Sequence, residues 1–209
     1  MKRTILSIVT ALVLVFCITV HAESGEFSRL GELKIIQGDQ CGNWNLDKPV
    51  TRAELMQFAV NSLNLRNVTA NHENVNFSDM KDHWASNTVN LALEMKLIEK
   101  QEFFNPEDTV TMADTIKIIV KILGYEPMAQ SNGGDPIGYI TTATSIGLTN
   151  NLTFSHNSTA LRRDVAKLLE NALDIPVMVQ TGYNGEHKEF KIADGKDGEM
   201  RTTLSSLFE

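Results

Sequence analysis

The chain has 209 residues, with 26 acidic and 19 basic side chains, a formal net charge of −7 and a hydrophobic fraction of 42%. A chain of this acidity is not a nucleic-acid binder by bulk electrostatics, and it is repelled at long range by any anionic polymer, so anion recognition has to be local.

Met1 to Ala22 has the order of a signal peptide: basic Lys2-Arg3, an apolar run from Ile5 to Val20, and the small-x-small exit Val20-His21-Ala22. The apolar run is short of the roughly 20 residues that a membrane span needs, so cleavage is expected, with export and no integral span in the mature chain. The bulky Phe16 ahead of Cys17 does not suit a lipoprotein signal. Cleavage makes the charge two units more negative and leaves only Cys41, which excludes an intramolecular disulfide framework. The remainder is long enough to bury one or two cores.

Val50-Thr51-Arg52-Ala53-Glu54 reads as a helix start. Thr51 and Glu54 have the spacing of a capping box, in which the hydroxyl takes the N3 amide and the carboxylate reaches back to the Thr amide. Leu55 or Met56, then Ala59, Val60 and Leu63, recur at three- and four-residue steps and give one apolar face. The box does not account for Arg52, a cation in the first turn, where the helix dipole prefers anions. A guanidinium beside free backbone N–H groups would make a small anion site.

The same frame falls on Met112 and Arg162. Eight residues before each lies an aromatic (Trp44, Phe104, Phe154), two before lies a small apolar residue (Val50, Val110, Ala160), and two after lies an acid (Glu54, Asp114, Asp164). A spacing of about 50–60 residues is that of a repeat module, and one helix–loop–helix unit of this size cannot bury its own apolar face, so three should pack together. Each frame follows an apolar helix end: Leu30 to Ile36, Leu91 to Ile98, and Ala143 to Leu148. Polar linkers are expected at 67–76 and 128–135. The second unit has a fuller front end, Phe77-Ser78-Asp79 to His83-Trp84-Ala85.

That front end, an apolar helix, the loop Gly38-Asp39-Gln40-Cys41-Gly42-Asn43-Trp44 and Pro49-Val50-Thr51-Arg52-Ala53-Glu54 together resemble the S-layer homology domain, over about residues 27 to 176. The resemblance implies a mainly α fold of three tandem helix–loop–helix repeats in a pseudo-threefold bundle. The expected divisions are a signal peptide at 1–22, repeats at 23–70, 71–128 and 129–176 (the last divergent), and a short β-like tail at 177–209. Phe190 to Ile192, a turn at Asp194-Gly195-Lys196 and Arg201 to Leu204 suggest a weak hairpin in that tail.

The resemblance also implies a partner: a secondary cell-wall polysaccharide attached to peptidoglycan, typically bearing a pyruvate ketal. Carried over by residue, Arg52 and Arg162 hold the ligand carboxylate and Trp84 is either a groove wall or core. Thr51 and Glu54 support Arg52 through the cap, and Asp164 takes the place of Glu54 in the third unit. The second unit departs, with Met112 in the arginine position. The third keeps Arg162 but has Leu161 for the capping Thr, with Ser158 or Thr159 as substitutes and Arg163 as a competing contact. Lys34 and Lys96 stand where the family often has glycine, which only Gly147 keeps.

No catalytic constellation is present: the histidines are scattered, and no Cys or Ser sits in a nucleophile motif. His83 reads as a helix-entry packing element. The loop from Asp39 lacks the glycine and glutamate of an EF-hand, so neither metal nor cofactor is expected. The expected function is a secreted, non-enzymatic anchor of the bacterial cell surface, either stand-alone or part of a longer protein. The alternative is a surface-layer assembly module that docks other surface-layer proteins and has a vestigial carbohydrate pocket.

Overall fold

The computed structural model describes residues 25–39, 41–70 and 77–209; the signal peptide expected at 1–22 lies outside the described residues. In chain order the helices are α1 (Ser28–Glu32), α2 (Arg52–Ser62), α3 (Ser86–Glu94), α4 (Met112–Ile122), α5 (Glu126–Ser131), α6 (Ile137–Ser145) and α7 (Arg162–Ala172). They are followed by the antiparallel strands β1 (Met178–Asn184) and β2 (His187–Ile192). The fold is mainly α with one small sheet.

The long helices α2, α4 and α7 begin at the three frames because their caps work. The Thr51 hydroxyl accepts the Glu54 amide at 3.3 Å, and the Glu54 carboxylate accepts the Thr51 amide at 3.1 Å. Thr111 and Asp114 repeat this at 3.1 and 3.4 Å. At α7 half the box is gone. Asp164 still accepts the Leu161 amide at 3.1 Å, but its own amide turns to the Leu161 carbonyl at 2.9 Å. Ser158 does not replace the missing hydroxyl, since it donates to the Ser155 carbonyl.

Just ahead of the caps, three extended residues tie the frames together. Val50 donates to the Ala160 carbonyl, Ala160 to the Val110 carbonyl and Val110 to the Val50 carbonyl, at 2.9–3.0 Å. All three are buried, and the closed cycle satisfies polar groups that would otherwise be lost in an apolar interior. The first two amides of each long helix then meet the loop of the next frame. Arg52 and Ala53 donate to the Asp108 and Pro106 carbonyls, Met112 and Ala113 to Ser158 and His156, and Arg162 and Arg163 to Lys48 and Leu46.

The shorter helices interlock in the same sense: α3 packs on α2, α6 on α4, and α1 on α7. The last contact joins the two ends of the helical region. It is sealed by Arg29, which reaches Asp174 at 2.8 Å and Glu170 at 3.3 Å. One continuous apolar core runs from Phe27 to Leu204.

Each short helix that precedes a frame ends on a left-handed residue, Lys34 (φ 57°), Lys96 (φ 59°) or Gly147 (φ 81°). The next residue returns a hydrogen bond into the helix, Ile35 to Leu30, Leu97 to Ala92 and Leu148 to Ala143, which is a Schellman ending. The long helices brace these ends: Asn61 donates to the Lys34 and Ile35 carbonyls, Lys121 to Lys96 and Leu97, and Asn171 to Leu148 and Asn150.

Two local expectations are corrected. The stretch expected as a linker at 128–135 is partly helical, because α5 has Pro127 in its first turn and buries Ala129. The hairpin lies earlier than expected, with Gly185 (φ 64°) in a two-residue turn between Asn184 and His187. Asp194 to Lys196 instead leads into a short 3-10 turn, and Thr203 bridges to Pro176.

Candidate functional site

Two clefts open where an arginine of one frame lies against the loop of the next. In the first, the Arg52 Nε donates to the Phe104 carbonyl at 2.7 Å and its guanidinium lies 4.8 Å from the Phe104 ring centre. Its two terminal nitrogens have no carboxylate partner among the described residues. The cleft, about 200 Å³, is lined on its other side by Asp114, Lys117 and Lys121. These stand three and four residues apart on α4 and so share one face. With Glu99 the charged lining is three cations and two acids.

The Arg52 cleft has a defined floor. The carbonyl under Arg52 is set by Asp79, whose carboxylate accepts the amides of Phe104 at 2.8 Å and Asn105 at 2.6 Å. Burial works against the Asp79 charge, but those two amides outweigh it and hold the carboxyl below the usual range. Lys117 is drawn to Asp135 at 2.6 Å and Lys121 to Glu126 at 3.3 Å.

The second cleft is larger, about 400 Å³, and its lining includes Asp39, Lys48, Glu54, Gln57, Trp84 and Arg162. Arg162 is only 8% exposed. Its Nε donates to the Trp44 carbonyl at 2.8 Å, Nη1 to Glu54 Oε1 at 2.9 Å and Nη2 to the Gln37 carbonyl at 3.2 Å, and the guanidinium lies over the Phe58 ring. Its loop is held from within, because Asp39 accepts the amides of Cys41 and Asn43. The Asn43 amide is the main cause of the lowered Asp39 pKa.

The expected residues therefore fall into two groups. Arg162, Glu54 and Trp84 come together at one cleft, and Arg52 stands at the other. Thr51 and Asp164 serve their caps. Trp84 is 61% exposed at the mouth of the larger cleft, so it is not core. His83 is a helix-entry element: its Nδ1 accepts the Ala85 amide at 3.2 Å and its Nε2 meets Glu107 at 3.1 Å. Arg163, the competing candidate, points to Asp47 on the surface. Met112 is buried.

One physical expectation fails. The helix-start amides beside Arg52 and Arg162 are not bare, since the neighbouring loops take them. Any anion held here meets guanidinium and ammonium groups rather than a helix terminus. Asp79, Lys117, Lys121 and Lys48 were not anticipated. Asp79 stands in the Phe-Ser-Asp element of the front end, and the step from Asp114 to Lys117 to Lys121 was readable as one helix face.

The sequence signature of the S-layer homology domain matches residues 76–116, the stretch that supplies the Asp79 brace, Trp84 and the floor of the Arg52 cleft. The chain carries an S-layer homology domain. Similar proteins are a cell surface protein of Thermoanaerobacter kivui, 28% identical over 156 residues, and a middle cell wall protein of Brevibacillus brevis, 31% identical over 160 residues. A surface layer protein of Brevibacillus choshinensis is 27% identical over 159 residues. The matches cover 72%, 74% and 74% of this chain but only 20%, 15% and 14% of those proteins. The chain thus spans a fifth or less of the relatives it matches. Among the described residues, no helix is long and apolar enough to cross a membrane.

Proposed function

We propose that this chain is a secreted, non-enzymatic anchoring module that holds a secondary cell-wall polysaccharide non-covalently at the bacterial surface. The S-layer homology domain and the surface and cell-wall names of its relatives support the cell-surface location. The closed cycle at Val50, Val110 and Ala160, with three equivalent helix starts around it, supports three tandem units about a pseudo-threefold axis.

The observation that carries the ligand class is the state of Arg52. A guanidinium whose two terminal nitrogens are unclaimed among the described residues, beside two lysines, suits a compact carboxylate such as a pyruvyl ketal. Lys117 and Lys121 are paired with Asp135 and Glu126 outside the lining, so within a chain of net charge −7 the attraction for an acid rests on the Arg52 guanidinium itself. The Arg162 cleft takes the neighbouring sugar, with Trp84 as an apolar wall against a pyranose face and Lys48, Asp39 and Gln57 as hydrogen-bonding groups. A charge-assisted hydrogen bond contributes about 1.5–3 kcal/mol, so one cleft alone binds weakly. Two clefts on one polymer, or many copies on one wall, raise retention by roughly 10²–10⁴.

One observation favours a second reading: of the three frame positions, with Met112 buried and Arg162 committed, only Arg52 is left with an open guanidinium among the described residues, as expected of a docking module with a vestigial carbohydrate pocket. Co-sedimentation with native and depyruvylated walls separates the two. The polysaccharide reading predicts loss of binding on depyruvylation. Unchanged binding to walls stripped of polysaccharide but retaining protein would favour docking.

A further inference from the structure

We infer that the length of the acid at the third position of α2 and α4 decides whether the arginine facing it is open to ligand. Glu54 is a built-in competitor that occupies Arg162, and Asp114 leaves Arg52 open. The inference rests on the anion-binding reading of the two clefts.

The two clefts share one frame: Arg162 faces the loop and acid of the first unit as Arg52 faces those of the second. Glu54 serves two partners with separate oxygens. Oε2 accepts the Thr51 amide at 3.1 Å while Oε1 accepts from Arg162 Nη1 at 2.9 Å. Asp114 is shorter by one methylene, about 1.5 Å. Its Oδ2 takes the Thr111 hydroxyl at 2.7 Å and the Thr111 amide at 3.4 Å, and neither oxygen reaches Arg52. A ligand carboxylate needs the N–H groups that Glu54 holds, and two like charges do not share one guanidinium edge without cost. The ligand acid would thus sit at Arg52 where the Glu54 Oε1 sits at Arg162. The cap survives either acid, as Thr51 with Glu54 and Thr111 with Asp114 both show, so the gate can be changed without removing the helix start.

The test uses the full chain and a methyl hexopyranoside bearing a pyruvyl ketal, titrated by calorimetry, with the methyl ester of the ketal as the uncharged control. The wild type should bind one acid-dependent equivalent. Asp114→Glu should weaken that site at least about tenfold, and Glu54→Asp should add a second equivalent. Glu54→Gln, which keeps the length and removes the charge, should also open Arg162. Phenylglyoxal labelling mapped by mass spectrometry reads the gate without ligand: Asp114→Glu should slow labelling at Arg52, and both Glu54 variants should hasten it at Arg162. A wild type that binds, with affinity and stoichiometry unchanged in the variants, overturns the gate and leaves the anion-binding reading intact. If no chain binds the ketal, that reading falls and the labelling alone decides the gate: unchanged rates overturn it, and the predicted shifts uphold it.

Discussion

The two arginines share one position in the repeated frame but have opposite surroundings. Arg162 is nearly buried, with three hydrogen bonds to Trp44, Gln37 and Glu54. Among the described residues, the Arg52 side chain makes one hydrogen bond, to Phe104, and its terminal nitrogens are open. The same side chain at the same helix position is thus a fastener between loop and helix in one cleft and a candidate ligand contact in the other. The difference comes from one methylene in the facing acid and from Lys117 and Lys121 on α4, where α2 carries Gln57 and Asn61.

The largest expected effect is on stability. Arg162→Ala strips Glu54 of its partner in a mostly buried setting and should cost about 3 kcal/mol. For a chain of this size that lowers the melting temperature by about 6–12 °C. A loss below about 1 kcal/mol in chemical denaturation would show that Arg162 is no fastener.

Asp79→Asn comes next, because it weakens the brace under the Arg52 floor without emptying its space. It should cost about 1–2 kcal/mol at neutral pH, the difference between charged and neutral acceptors on two amides. The folded Asp79 carboxyl lies below its usual value. Its stabilisation is therefore complete above the unfolded value near about 4 and is lost as pH falls through the lower folded value. Denaturation midpoints measured from neutral pH into that acid range should fall in the wild type and fall less steeply in Asp79→Asn. Parallel curves would remove Asp79 from the account.

Arg52→Ala should cost only about 1 kcal/mol, for one hydrogen bond and a partly exposed ring contact. A loss as large as that of Arg162→Ala would erase the contrast between the clefts. The smallest effect, of opposite sign, is at the short-helix endings. Lys34→Gly and Lys96→Gly relieve left-handed residues and should each stabilise by about 0.5–1 kcal/mol in thermal melts. Destabilisation at either would mean that the side chain contributes more than its backbone strain costs.

Much of this was legible in the chain. The Thr51–Glu54 box, the apolar steps and the recurring frame fix where α2, α4 and α7 begin, because capping and periodicity are local. What could not be read was set by contacts between frames. The helix-start amides looked bare because their acceptors, Asp108, Pro106, Lys48 and Leu46, lie about 50–120 residues away and offer only backbone carbonyls, which leave no mark in side-chain sequence. The fate of Arg162 depended on Glu54 of another frame, already explained by its own cap. The hairpin was misplaced because its turn rests on Gly185 alone, while Asp194-Gly195-Lys196 carried the stronger turn composition.

The most direct test of the open-arginine account is co-sedimentation of folded Arg52→Ala with native pyruvylated cell walls, beside the wild type and a stability-matched control such as a core Ile→Val variant. The account predicts that Arg52→Ala loses at least about tenfold in wall affinity while the control is retained. Retention of Arg52→Ala at the wild-type level would contradict it.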